Sequence, residues 1–96
     1  PENKLNSQVK SVIGKYLNLS DYRLFYFGSR VSGKGDERSD IDIGIEGANP
    51  IKGEIITKVK SDLDALPILY TIDFVDFTQI SPDFRAVAKQ NIEEIK

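Results

Sequence analysis

The chain of 96 residues contains neither cysteine nor histidine. The first absence removes disulfides and a thiolate nucleophile. The second removes an imidazole base, and together they rule out a zinc site built on nitrogen and sulfur ligands. Any metal here must be a hard cation held by oxygen. There is also no excess of positive charge: 13 Lys and Arg stand against 15 Asp and Glu, a formal net charge of -2. Without a basic field, direct binding of a long nucleic acid is not expected. Apolar runs extend for only a few residues and no charged-then-apolar leader opens the sequence, so neither a membrane span nor a signal peptide is expected, and the default location is cytoplasmic. With 40% hydrophobic and 29% charged residues, the composition fits one globular domain over 1–96 with a modest core.

Helix and strand patterns alternate along the chain, predicting an α/β (α+β) fold with a small mixed sheet of three or four strands. Leu5, Val9, Val12, Ile13, Tyr16 and Leu17 recur at steps of three and four, which predicts a first amphipathic helix ending near Asn18. The aromatic-rich run 22–27 predicts a strand that breaks at Gly28, and a second strand is expected from about Asp40 to Glu46. Ile51, Ile55, Ile56, Val59, Leu63 and Leu66 form another helical stripe between Pro50 and Pro67. The run from Ile68 to Phe77 reads as a long third strand. Ser81-Pro82 supplies an N-cap and a first-turn proline, with Phe84, Val87, Ala88, Ile92 and Ile95 as the buried stripe of a C-terminal helix.

The chemistry centres on Asp40-Ile41-Asp42. Acids separated by one residue on a strand share a face, with carboxylates about 6 to 7 Å apart at a rise of about 3.3 Å per residue. Two such charges repel unless a cation lies between them, and Mg²⁺ suits an all-oxygen set while keeping waters that a triphosphate can displace. Gly44 continues the same face without a side chain, so space for a ligand is expected there. Taken alone, the pair also fits a solvated strand face. Twelve residues upstream of Asp40, Gly28-Ser29 closes the first strand, where glycine allows a phosphate to approach the backbone and the Ser29 hydroxyl can donate to it. Arg30 and Lys34 add charged donors. Alone, this segment also fits an ordinary polar turn. A third carboxylate is offered by Asp73 or Asp76, which face opposite ways on a regular strand. Asp73 is preferred because its position between Ile72 and Phe74 predicts burial, and a buried acid needs a partner or a cation. The aromatic residues Tyr22, Phe25, Tyr26 and Phe27 are expected in the core.

Taken together, Gly28-Ser29, ten residues, Asp40-Ile41-Asp42 and then Ile72-Asp73-Phe74-Val75-Asp76-Phe77 resemble the minimal nucleotidyltransferases, or MNT domains, of the polymerase-beta superfamily. The likeness spans nearly the whole chain. It implies the nucleotidyltransferase fold, phosphate contacts from Gly28, Ser29 and Arg30, and two Mg²⁺ held by Asp40 and Asp42 with Asp73 completing one of them. It implies further that a nucleoside monophosphate, with ATP as donor, passes to a hydroxyl acceptor. In-line displacement at the α-phosphorus with pyrophosphate leaving fits such a site, and with no histidine a carboxylate or a metal-bound hydroxide is the natural base. Small members of this family are often the antitoxin partners of helical HEPN proteins, some of them transferring AMP to a tyrosine of that partner. A homo-oligomer is a further expectation. The competing expectation is a non-catalytic nucleotide-binding or partner-binding module that inhibits by occlusion. A plain α/β domain whose loop binds another anion is a third.

Overall fold

The computed structural model describes residues 2–28 and 40–96. Over these residues the order is α1 (Glu2–Gly14), a 3-10 turn (Leu19–Asp21), β1 (Arg23–Phe27), β2 (Ile41–Glu46), α2 (Gly53–Asp64), β3 (Ile72–Asp76), α3 (Pro82–Ala88) and β4 (Ile92–Glu94). The strands form one mixed sheet in the order β3-β2-β1-β4. β1 runs antiparallel to both β2 and β4, whereas β2 and β3 are parallel. The connection from β2 to β3 carries α2, as a parallel pair requires.

Alternation along the strands divides the sheet into two unlike faces. Leu24, Tyr26, Ile41, Ile43, Ile45, Ile72 and Phe74 meet Val9, Val12 and Ile13 of α1 and Val59 and Leu63 of α2 in the main core. The spacing of those helical residues places each set on a single stripe, which is why both helices lie on this face. Lys15 and Tyr16, just beyond α1, donate to Asp62 Oδ2 on α2 at 2.7 and 2.6 Å. Lys15 is exposed and Tyr16 and Asp62 are half-buried, so the ion pair itself contributes little. The opposite face carries a smaller cluster of Phe25, Phe27 and Phe77 with Val75, Ile80, Ala88 and Ile92 against it.

Four departures from the sequence expectations have physical causes. α1 stops at Gly14 rather than near Asn18, whose side chain instead caps the 3-10 turn by accepting from Ser20 N at 3.2 Å. β3 begins at Ile72 rather than Ile68, because its partner β2 begins at Ile41 and the ladder opens with Ile41 N donating to Thr71 O at 2.8 Å. The C-terminal helix starts as predicted, with Ser81 Oγ accepting from Phe84 N at 3.2 Å, but ends at Ala88. Residues 92–94 instead form β4 on the free edge of β1, and Ile95 N donates to Leu24 O at 2.9 Å. Ile92 and Ile95 thereby serve different clusters, which is the parity of a strand and not of a helix. Finally, Asp73 is exposed and Asp76 is the buried acid, 7% accessible.

Asp76 is held by four donations. Ile51 N and Gln79 Nε2 reach Oδ2, each at 2.8 Å, and Thr78 N and Oγ1 reach Oδ1 at 3.0 and 2.7 Å. Burial pushes its carboxyl pKa up, but these donors outweigh burial and leave it below the ordinary value. The group therefore stabilises the fold above the ordinary carboxylate range, and the contribution is lost as pH falls through the depressed folded-state pKa. Asp76→Ala strands these donors and is expected to cost about 2 to 3 kcal/mol at neutral pH. Urea unfolding checks this: the gap to wild type should narrow below the ordinary Asp pKa of about 3.9.

Candidate active site

The register brings the predicted site residues into one transverse row. Asp42 on β2 lies opposite Phe27 of β1 on one side and opposite Asp73 of β3 on the other. All three share the face that carries the small aromatic cluster. Asp40 stands one residue before β2 and is exposed. Gly28 closes the row: its φ of +85° is unfavourable for any residue with a Cβ, and a Cβ there would lie 2.3 Å from Asp42 Oδ2. The carboxylate of Asp42 thus rests against bare backbone at the end of β1.

Electrostatics marks Asp42 as the strained member. Burial raises its pKa first, the charges of Asp73 and then Asp40 raise it further, and a hydrogen bond with Asp73 acts in the same direction. Among the described residues, no group of three acidic side chains forms a ready-made metal cage. What the register juxtaposes directly is Asp42 and Asp73, with Asp40 close enough to act on Asp42 through its charge. An all-oxygen set carrying mutually repelling charges fits a hard divalent cation such as Mg²⁺. Ser29, Arg30 and Lys34, the predicted phosphate contacts after Gly28, lie outside the described residues.

Gly44 does not provide the open space expected of it. A Cβ there would lie 2.4 Å from Phe25 Cε2 and 2.7 Å from Phe77 Cε1, so aromatic rings already fill the position. Phe77 meets Phe25 edge-on at 4.8 Å between centroids and Phe27 at 5.0 Å. Glycine here lets the cluster settle onto the sheet one step behind the acids. Beyond it, Glu46 accepts from Lys89 Nζ at 2.7 Å and from Arg85, tying α3 and its cap to the far end of β2. Burial raises the Glu46 pKa, but the two cations outweigh it and lower the pKa overall. α3 is thereby anchored over the aromatic end of this face. The sequence reading placed Phe25 and Phe27 in the core, where they lie, but did not foresee the floor they form with Phe77 or the Glu46 anchor. The Asp76-Phe77-Thr78-Gln79 string was the available signal for Asp76, since an Asp followed two residues later by a hydroxyl commonly folds back on its own turn.

Residues 8–95 match the family described as Polymerase beta, Nucleotidyltransferase. The chain belongs to that family. A similar curated protein is the probable protein adenylyltransferase MntA of Haemophilus influenzae, 30% identical over 72 residues, a match covering 75% of this chain and 63% of that relative. The chain therefore spans less than two thirds of the relative's length. Among solved structures, a toxin–antitoxin complex with AMP-PNP superposes with a TM-score of 0.65 at 20% identity, over 95% of this chain and 72% of that one. A tri-AMPylated Shewanella oneidensis HEPN toxin in complex with MNT antitoxin gives a TM-score of 0.56 at 21% identity, over 95% and 71%. These two likenesses establish the fold, the polymerase-beta-like nucleotidyltransferase arrangement of a mixed sheet and three helices. Among the described residues no helix is long and apolar enough to cross a membrane.

Two outcomes follow from this geometry. Because the folded state raises the Asp42 pKa, the ionised group opposes folding above that raised value, and the penalty disappears below the unfolded-state pKa. Asp42→Asn should raise Tm at neutral pH by about 2 to 4 °C once solvent screening is allowed for. Added Mg²⁺ should raise the Tm of wild type and have much less effect on the variant. An Asp42→Asn protein that melts at or below wild type would contradict this account. Gly28→Ala meets both the positive φ and the Asp42 oxygen, so it should lose at least about 1 kcal/mol and blunt the Mg²⁺-dependent rise, both read in the same melts.

Proposed function

We propose that this nucleotidyltransferase-family chain transfers AMP from ATP to a hydroxyl acceptor, a tyrosine of a helical HEPN-type toxin, and thereby acts as the antitoxin. The observation that carries the reading is the placement of Asp42 beside Asp73 across the parallel β2–β3 pair, with the Gly28 backbone against Asp42. The adenylyltransferase name of the similar Haemophilus influenzae protein and the AMPylated HEPN toxin in the complex of like fold supply the donor and the acceptor class.

In this reading Asp40, Asp42 and Asp73 are the catalytic carboxylates and would hold two Mg²⁺, which would supply the positive charge that a triphosphate and three acids require. Gly28 lets the phosphates approach the backbone, and Ser29 and Arg30 donate to their oxygens. The acceptor oxygen attacks the α-phosphorus in line, the bond to the bridging oxygen breaks, and pyrophosphate leaves with its electron pair. Asp73, exposed beside Asp42, accepts the proton from the acceptor hydroxyl. A carboxylate suits this task in a chain without histidine.

The test is to incubate the purified chain with ATP labelled at the α-phosphate, Mg²⁺ and the HEPN protein encoded with it. Wild type should label the partner on tyrosine. Asp42→Asn should lower the rate by more than the roughly 10- to 100-fold typical of losing an outer-shell group, while circular dichroism stays native. Equal labelling by wild type and variant would refute the assignment. Asp40→Asn separates catalysis from occlusion: loss of toxin neutralisation supports transfer, whereas full neutralisation by the variant identifies a steric inhibitor.

A further inference from the structure

α3 packs no buried residue, although it carries Phe84 and Val87, which are 47% and 68% exposed. Both face a cavity of about 320 Å³ between the helix and the end of β1, lined also by Phe27, Gly28, Gln90 and Asn91. Phe27 is the cross-strand partner of Asp42, and Gly28 is the residue whose backbone abuts the Asp42 carboxylate. The cavity therefore shares a wall with the acid row. Its volume sits at the lower end of the roughly 300 to 1,000 Å³ typical of small-molecule sites.

We infer that this cavity receives the purine base of the donor nucleotide. The inference rests on the nucleotidyl-transfer reading and extends it from the triphosphate to the base. A triphosphate gripped beside Asp42 must project its nucleoside onto one flank of the row. The flank formed by Phe27, Gly28 and α3 is apolar, aromatic and open. Phe84 is held edge-on to Phe27 at 6.3 Å between centroids and to Phe77 at 6.2 Å, so a floor of three rings keeps its position while leaving nearly half of it uncovered. Such a surface suits a flat heterocycle, since every base has a face that stacks on an aromatic ring. Gln90 and Asn91 bring carboxamides to the same cavity. A carboxamide both donates and accepts, matching the paired amino group and ring nitrogen on an adenine edge. A tyrosine ring offers only one hydroxyl to such groups, which is why the base and not the acceptor is assigned here.

The experiment measures Mg²⁺-dependent binding of ATP, GTP and inorganic tripolyphosphate by calorimetry, and the KM for the acceptor in the labelling assay, for wild type, Val87→Trp and Gln90→Ala. Both substituted positions are exposed, and thermal melts confirm folding. Val87→Trp fills the cavity and should weaken ATP binding tenfold or more while leaving tripolyphosphate within twofold. Gln90→Ala should narrow the preference for ATP over GTP. Equal losses for both ligands, or none for either, would overturn the base assignment. So would unchanged ATP affinity with a raised KM for the acceptor, which would give the cavity to the acceptor ring. If wild type binds neither ATP nor tripolyphosphate, the transfer reading falls with it; if wild type binds both and Val87→Trp does not discriminate, only the base assignment falls.

Discussion

The arrangement of this molecule turns on the repulsion between Asp42 and Asp73, fixed opposite each other by the parallel pairing of β2 and β3. A parallel ladder leaves no freedom in which residues face one another, and like charges placed directly across strands are destabilising. The fold keeps the pair in spite of this. It even adds to the strain, because Asp42 is partly buried and also feels Asp40. A pair of like charges held together in this way is suited to receive a hard divalent cation.

The rest of the sheet is organised to bear that cost. All the large aliphatic residues of the main core, with both long helices, lie on the face away from the acids. On the acid face, the ring cluster of Phe25, Phe27 and Phe77 fills the space over Gly44, and Glu46 with Arg85 and Lys89 secures α3 at the far end. The acid row therefore borders the packed aromatic half of its face. Removing the Gly44 hydrogen in favour of a side chain would lift the rings. The acids would lose the apolar support beside them.

Much of this was legible because local chemistry demanded it. A glycine after an aromatic strand, and two acids one residue apart at the start of an isoleucine-alternating strand, single out Gly28, Asp40 and Asp42, of which the sheet sets Gly28 against Asp42 and leaves Asp40 close by. What could not be read depended on pairing partners distant in sequence. The start of β3 is set by where β2 begins, and β4 exists because β1 offers a free edge to residues 92–94. Helical spacing of Phe84, Val87, Ala88, Ile92 and Ile95 concealed a change from helix to strand at Gln90-Asn91. Burial was misjudged for the same reason: apolar neighbours around Asp73 predicted an enclosed acid, but strand parity gives those neighbours to the main core and turns Asp73 outward. It is pairing with Asp42, and not enclosure, that places Asp73 in the row.

Three carboxylates on β2 and β3 show what separates a structural acid from a reactive one. Asp76 is buried, yet four donations hold its pKa down. Glu46 is half-buried among cations, with the same result. Asp42 has a comparable backbone setting one ladder away, but its influences are burial and other acids, and its pKa moves up. Among the described residues, donors and cations meet Asp76 and Glu46, whereas the charges that act on Asp42 beside Gly28 are those of Asp73 and Asp40. A carboxylate whose pKa is raised by neighbouring acids is one that a divalent cation can answer.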